Sequence, residues 1–213
     1  MLSPTIRRGG WRYALALLLV VVAGLTGCSS TPAGVDVSTI PDYTRIPGDP
    51  MGPASQSVRQ TDGSTWRFDH PATGSITLLY FGYTSCPDVC PTTMADLASA
   101  MTKLPDSVRS KVWVEFISTD PHRDTDTQIR AWLDGFDPSF HGGRAAIDEV
   151  IAAGLVYGVG IEAPVVVDGD YQVTHGGMLL VLDPVGRAVG FFQQLAGPSS
   201  YVTGIPLLVQ KYT

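Results

Sequence analysis

Cationic residues, cysteines and long apolar runs are all scarce in this chain of 213 residues. Fourteen lysines and arginines stand against twenty aspartates and glutamates, a net charge of −6 that argues against nucleic-acid binding, because such binding relies on clustered cations. Three cysteines are too few for a small domain held together by disulfides. After residue 25, no apolar run reaches the ~18 residues of a membrane-spanning helix. The sequence therefore predicts a globular domain that follows an unusual N-terminal segment.

The first 28 residues have the features of a bacterial export signal. Three arginines precede an apolar run over residues 14–23, and small residues lead directly into Cys28. This ending resembles a bacterial lipobox, so we predict a signal peptide over 1–27 and a lipidated Cys28. The lipid would hold the protein on the outer face of the cytoplasmic membrane. An ordinary signal peptide with an unmodified cysteine is the alternative.

Residues 28–55 are predicted to be a flexible tether that begins with the lipidated cysteine. Residues 29–55 contain five prolines and three glycines and show no helical or strand periodicity. A segment of this composition buries too little apolar surface to offset the entropy of ordering it. We therefore expect the folded domain to cover residues 56–213.

Strand and helix patterns alternate through this domain, which predicts an α/β fold. Strands followed by helices and then a hairpin indicate a mixed central sheet flanked by helices, with an N-terminal hairpin, as in a thioredoxin-like fold. The predicted elements are a hairpin around Asp62-Gly63, a buried strand over 76–81, a helix from Pro91, a strand over 112–117, helices over 125–136 and 147–157, a closing hairpin over 178–192, and a last helix capped by Ser199 or Ser200.

Cys86 and Cys90 lie in the loop between the buried strand and the first helix. With Pro91 as the first helical residue, Cys90 would sit at the N-cap, where free N–H groups and the helix dipole lower the pKa of a thiol. Cys86 could turn its sulfur toward the same point. Buried core cysteines and a structural disulfide are the alternatives, but so short a loop gives a disulfide little chain entropy to remove. The pattern favours a redox-active dithiol or a metal site.

Two thiolates rarely hold a metal alone, so a histidine is the expected third ligand. His70 and His141 lie in polar segments with glycine or proline and are predicted to be surface residues. His122 follows a central strand, and His175 precedes two glycines that would leave room for another group. The residues alone leave both His122 and His175 open.

Three motifs with a specific residue order follow one another along the chain. They are FGYTSCPDVCP over residues 81–91, STDPHRDT over 118–125, and YQVTH over 171–175, which is followed by DPVG over 183–186. Spread over about residues 56–213, they resemble the Sco/SenC family of copper-handling, thioredoxin-like proteins. The resemblance implies one copper per chain, as Cu(I) and in a second state as Cu(II), with Cys86, Cys90 and His175 as ligands. Zinc is the lesser alternative, because it prefers a fourth ligand.

The same resemblance implies supporting residues around the ligands. Asp120 would stand close behind them, and Arg123 and Asp124 would fix the loop that follows the second central strand. Thr174 stands where the family usually has an aspartate directly before the histidine. The loss of this carboxylate could change how the histidine is oriented, since outer residues tune metal sites.

The implied function is that of a membrane-tethered metallochaperone. It would deliver copper to the copper A site of cytochrome c oxidase, with the oxidase subunit that carries this site as its partner. An upstream copper donor or thiol reductant would be a second partner, and the expected oligomeric state is a monomer. The alternative is an enzyme, a thiol–disulfide oxidoreductase that keeps the cysteines of the oxidase site reduced through the pair Cys86 and Cys90.

Overall fold

The computed structural model describes residues 34–213, of which Val35–Thr213 form one compact unit. The predicted signal peptide over 1–27 and the lipidated Cys28 lie outside these residues. Within the described part of the chain, no helix has the length and apolar character needed to cross a membrane. The elements are, in chain order, β1 (Tyr43–Arg45), β2 (Ser57–Gln60), β3 (Thr65–Arg67), β4 (Ile76–Gly82), α1 (Val89–Met101), α2 (Asp106–Arg109), β5 (Val112–Ser118), α3 (Asp126–Asp134), β6 (His141–Arg144), α4 (Ile147–Val156), β7 (Val165–Val167), β8 (Asp170–Gln172), β9 (Leu179–Leu182), β10 (Ala188–Phe192) and α5 (Pro198–Tyr212).

Eight strands form one mixed sheet in the order β1-β10-β9-β4-β5-β6-β2-β3, while β7 and β8 pair only with each other. β4 runs parallel to β5 and antiparallel to β9, and all seven of its residues are buried. The core lies on both faces of the sheet, with α1, α3 and α5 on one face and α4 on the other. This arrangement confirms the predicted α/β class, the central sheet and the N-terminal hairpin.

The prediction of a flexible tether over 28–55 is wrong for its described part. β1 pairs with β10 and forms one edge of the main sheet. Val37, Ile40 and Ala54 are at most 3% exposed and belong to the core. Val37 and Ile40 join the core on one face of the sheet and Ala54 the core on the other, so too few apolar residues lie together here to show a period. The folded unit therefore begins at Val35, about twenty residues before the expected start.

The prediction that His141 belongs to a surface loop is also wrong. His141 opens β6, which lies inside the sheet between β5 and β2, and its ring stacks on Trp113 with centroids 3.4 Å apart. The next two residues are Gly142 and Gly143, because neighbouring atoms approach the strand too closely there to leave room for a side chain. A Cβ on Gly142 would lie 2.5 Å from Cδ1 of Leu133. The glycine-rich, polar composition of these residues is typical of a loop, and it therefore led to a wrong prediction for a strand inside the sheet.

Two helix starts also differ from the predictions. α1 begins at Val89, two residues before the expected Pro91. α5 begins at Pro198 behind Gly197, with no side-chain cap. The Ser200 hydroxyl instead donates a hydrogen bond to a carboxylate in the loop before β1, so tertiary contacts decide its role. The earlier start of α1 changes the environment of the cysteines.

Candidate metal centre

The two cysteines lie where β4 ends and α1 begins, at the carboxyl end of the central strands. The Cys90 backbone N–H donates a hydrogen bond to Cys86 Sγ over 3.4 Å, and both cysteines are free thiols. Cys90 is buried, whereas Cys86 is partly exposed. Gly82, the last residue of β4, leaves space for this packing, because a Cβ there would lie 3.2 Å from Cys90 Sγ and 2.8 Å from a ring carbon of Tyr80.

The pKa of Cys90 shifts in the direction opposite to the sequence-based expectation. Because α1 begins at Val89, Cys90 is already its second residue and its sulfur faces the core. Burial raises the pKa of the Cys90 thiol to about 12. Burial also acts to raise the pKa of Cys86, but hydrogen bonds from the backbone N–H groups of Asp88 and Cys90 outweigh it and leave that pKa below its ordinary value. Cys86 is therefore the more accessible and more readily ionised thiol.

His175 lies beside Cys90, with its Nε2 3.7 Å from Cys90 Sγ. Its Nδ1 is 3.1 Å from the backbone carbonyl oxygen of Gly176. A proton on Nδ1 satisfies this carbonyl and leaves the Nε2 lone pair facing the sulfur. Burial lowers the pKa of the imidazole, which favours the neutral form that binds metals. The rings of Tyr80 and Tyr83 pack edge-on against it, with centroids 6.2 and 5.7 Å away.

The structure separates the two histidines that the residues alone left open. His175 contacts a cysteine, whereas His122 is exposed and lines a different groove together with Pro121 and Pro164. His70 is exposed as well, with its Nδ1 3.1 Å from Asp69. Geometry and resemblance therefore point to the same histidine.

Cys86 and His175 also share a cleft that is open to solvent. The cleft has a volume of about 350 Å³ and is lined on one side by Cys86 and Asp88, and on the other by Val173, Thr174 and His175. Cys90 lies beneath this surface rather than on it. A molecule that approaches from solvent would therefore reach Cys86 and His175 before it reached Cys90.

The donor set fits a soft metal ion, although the side chains are not arranged as a finished coordination sphere. Within residues 34–213, no three side chains of histidine, cysteine, aspartate or glutamate form a group ready to hold a metal. Two sulfurs and one imidazole suit Cu(I), whereas zinc prefers a closed tetrahedron. A three-ligand site here requires the side chains of Cys86, Cys90 and His175 to move closer together.

Asp124 joins the loop that follows β5 to the loop that carries the cysteines. Its carboxylate is buried and accepts hydrogen bonds from the Thr84 backbone N–H over 3.1 Å and from the Thr84 hydroxyl over 2.6 Å. The Ser118 hydroxyl donates a third bond over 2.7 Å. Sequence reasoning did not single out Thr84, although it lies inside the first motif.

Asp120 and Arg123 contact Tyr171, in the segment that leads to His175. Buried Asp120 accepts a hydrogen bond from the Tyr171 hydroxyl over 2.7 Å and forms an ion pair with Arg123. The Arg123 guanidinium carbon lies 3.9 Å from the centroid of the Tyr171 ring. Tyr171 belongs to β8 and stands four residues before His175. Asp120 therefore holds the segment that carries the histidine, and Tyr171 is the link that sequence reasoning missed.

Removing the Tyr171 hydroxyl should loosen the β7–β8 hairpin without unfolding the domain. Tyr171→Phe deletes the hydrogen bond to Asp120 but keeps the ring under Arg123. Loss of one such bond costs about 1 kcal/mol, so backbone amide exchange in residues 165–175 should accelerate about fivefold. Hydrogen exchange followed by mass spectrometry measures this directly.

Tyr157→Phe is the matched control, because the Tyr157 hydroxyl donates to the Gly186 carbonyl oxygen over 2.9 Å, elsewhere in the fold. An equal acceleration of the hairpin in both variants, or none in Tyr171→Phe, would show that Tyr171 does not hold this segment.

Most of the chain matches a single protein-family model. The family model described as SCO1/SenC matches residues 57–210. The mitochondrial SCO1 homolog of Homo sapiens is 33% identical over 152 residues, which cover 67% of this chain and 47% of that protein. The mitochondrial SCO1 homolog 1 of Arabidopsis thaliana is 31% identical over 139 residues, covering 65% of this chain and 42% of that protein. The chain thus spans about half the length of these relatives.

Solved structures resemble the described fold over most of its length. ScoI of Bradyrhizobium japonicum with copper bound has a TM-score of 0.62 and 29% identity, and the match covers 78% of this chain and 99% of that one. Yeast Sco1 with copper bound has a TM-score of 0.65 and 27% identity, covering 78% and 90%. A SCO1/SenC family lipoprotein of Bacillus anthracis has a TM-score of 0.65 over 80% of this chain and all of that one, and at 18% identity it shows the fold alone.

Proposed function

This chain belongs to the SCO1/SenC family, and from that premise we propose that it binds one copper ion through Cys86, Cys90 and His175. The observation that carries the proposal is the 3.7 Å approach of His175 Nε2 to Cys90 Sγ, with Nδ1 already satisfied by a backbone carbonyl. Soft sulfur ligands select Cu(I), and a set of only three ligands suits an ion that must later be released. The copper-bound relatives support this assignment.

Copper is the cargo of this site, and the client is the copper A site of cytochrome c oxidase. Sco-family proteins take part in copper binding and cytochrome c oxidase assembly. The cleft lets a client thiol approach beside the partly exposed Cys86 while Cys90 and His175 hold the ion from behind. Exchange would then proceed one ligand at a time, with the sulfur of Cys86 leaving first. An upstream copper donor would reload the protein through the same opening.

Attachment to the membrane completes the proposal. With Cys28 lipidated on the outer face of the bacterial cytoplasmic membrane, only residues 29–34 would separate the lipid from the folded unit that begins at Val35. Six residues reach about 20 Å when fully extended. The domain would therefore work close to the membrane surface, where an oxidase subunit is also held.

The second candidate function is reduction of the client's disulfide. Two free thiols four residues apart favour it, with the backbone N–H of Cys90 donating a hydrogen bond to Cys86 Sγ. Cys86 would attack the client disulfide and release one thiol, and Cys90 would then attack the mixed disulfide and release the second. The client would gain two thiols, while Cys86 and Cys90 would form a disulfide that an external reductant must reopen.

One pair of reactions separates the two functions. Cu(I)-loaded protein is mixed with the reduced, metal-free copper A domain of the oxidase, and copper in the re-isolated domain is measured. In parallel, reduced, metal-free protein is mixed with the disulfide form of that domain, and new domain thiols are counted. We expect close to one copper transferred per chain in the first reaction, because the site is open on the client's side.

Cys86→Ser is the control and should lose both activities. Thiol formation without copper transfer would establish the reductase instead, and failure of both reactions would overturn the proposed client.

A further inference from the structure

The hairpin formed by β7 and β8 presents an apolar strand to solvent. It is separate from the main sheet, and all six strand residues are exposed. The three consecutive valines, Val165, Val166 and Val167, are 51%, 67% and 44% exposed. Single exposed apolar residues are ordinary, but a contiguous group of them on a projecting hairpin is typical of a surface that binds another molecule.

Acidic residues surround these valines, and this stretch of the chain supplies no cation to balance them. From residue 145 to residue 186 the chain contains six aspartates and glutamates and neither lysine nor arginine. Three of these acids, Glu162, Asp168 and Asp170, flank the valines and are exposed. None of the three takes part in an ion pair among the described residues. The hairpin therefore combines an apolar patch with a negative electrostatic field.

This surface continues into the cleft that holds the reactive groups. β8 leads directly to Val173, Thr174 and His175, which line one side of the cleft. On the other side lies Asp88, exposed and also outside the ion pairs of the described chain. The nearest cation of the neighbouring loop, Arg123, is matched by Asp120. A molecule on the hairpin would thus lie beside Cys86, within one negatively charged region.

The charge of the surface limits what can occupy it. A second copy of this chain would bring the same acidic hairpin, and anionic lipid would be repelled in the same way. We propose that the β7–β8 hairpin and the adjoining rim of the cleft are the docking surface for a protein partner that presents lysine or arginine side chains around an apolar contact, so that its sulfur atoms meet Cys86. The inference depends on the accessible thiols, not on copper binding.

Disulfide exchange with short peptides tests whether this surface prefers cationic and apolar residues around a sulfur atom, and it needs no natural partner. Each peptide carries one central cysteine as a mixed disulfide with 2-nitro-5-thiobenzoate. Cys86 attacks the peptide sulfur, the coloured thiolate leaves, and Cys90 then displaces the peptide thiol as the Cys86–Cys90 disulfide forms. Four peptides combine lysine or glutamate flanks with leucine or serine neighbours. Their rates are divided by the rates with 2-mercaptoethanol, which removes differences in intrinsic reactivity.

We expect the lysine–leucine peptide to react at least about tenfold faster than the glutamate–leucine peptide at low ionic strength, with the ratio shrinking in high salt. Asp168→Asn should reduce this ratio about twofold. Asp49→Asn, which removes the charge of another exposed and unpaired aspartate outside the hairpin, should leave it unchanged. Replacing the three valines with threonine keeps strand propensity and should abolish the advantage of leucine over serine.

Equal rates for lysine and glutamate peptides would overturn the proposal, as would equal effects of Asp168→Asn and Asp49→Asn. A Cu(I) titration of the same samples separates this result from the proposed function. Normal copper binding without peptide preference refutes only the docking surface. Peptide preference in a protein that fails to bind copper refutes only the metal site.

Discussion

Replacing His175 with alanine is expected to weaken Cu(I) binding at least about tenfold. The imidazole supplies the only side-chain nitrogen in contact with the cysteine pair among the described residues, and its Nε2 lies 3.7 Å from Cys90 Sγ. Without it, the ion would be left with two sulfurs and an open side toward the cleft. Anaerobic titration of the reduced protein against a competing chelator measures the affinity and the stoichiometry, which should be one copper per wild-type chain.

His122→Ala is the matched control for this substitution. His122 lies just after a central strand, as a ligand candidate should, but the structure places it in a separate groove. Its loss should leave the affinity unchanged. His175→Gln serves as a second variant that retains most of the side-chain volume between Tyr80 and Tyr83, so that a packing defect is separated from the loss of a ligand. Unchanged affinity in both His175 variants would exclude the three-ligand site and leave the cysteines as a redox couple.

Sequence reasoning was sufficient for some secondary-structure elements and insufficient for others. Runs of mostly apolar residues predicted β4 and β5 to within one residue, because central strands covered on both faces are largely apolar, with the buried Glu115 of β5 as an exception. Thr125 caps α3 through a reciprocal hydrogen-bond pair with Gln128, which is a local signal. By contrast, β1 and β6 are short and depend on neighbouring strands, so their composition resembles that of loops.

At the site, spacing along the chain identified the cysteines but not their environments. A shift of two residues in the start of α1 moved Cys90 from an exposed helix end into the core and left Cys86 as the accessible thiol. Tyr171 lay inside a motif that sequence reasoning had noted. Its partner Asp120 is 51 residues away, and no periodicity links the two. Contacts between distant loops set the position of the histidine, and only the structure shows them.

Glu115 is a buried carboxylic acid that should make the stability of the domain depend strongly on pH. It lies in the middle of β5, fully buried, and accepts hydrogen bonds from Gln60 Nε2 and from Trp113 Nε1, each over 2.8 Å. Burial raises the pKa of Glu115 to about 8, and the negative charge of Asp62 acts in the same direction. His141 lies opposite Glu115 in the register of β5 and β6 and is a second titratable group in this part of the sheet, besides Asp62.

Glu115→Gln should remove this pH dependence. The folded chain keeps the Glu115 proton up to about pH 8, whereas the unfolded chain releases it near its ordinary pKa of 4.5. The free energy of unfolding of the wild type should therefore fall by about 1.4 kcal/mol per pH unit as pH rises through this window, a total of several kcal/mol. Glutamine cannot ionise, so the variant lacks this slope. Denaturant unfolding at a series of pH values from about 5 to 8 measures both curves.

The difference between the two curves is more informative than either curve alone. Glutamine can satisfy only one of the two donors that face Glu115, which lowers the stability of the variant by a constant amount at every pH. Other groups in the chain, His141 included, titrate in both proteins and cancel in the difference. The stability of the variant relative to the wild type should therefore rise steadily with pH. Parallel curves for Glu115→Gln and the wild type would mean that Glu115 is ionised in the folded protein, and the centre of the sheet would then hold a charge stabilised by its two hydrogen bonds.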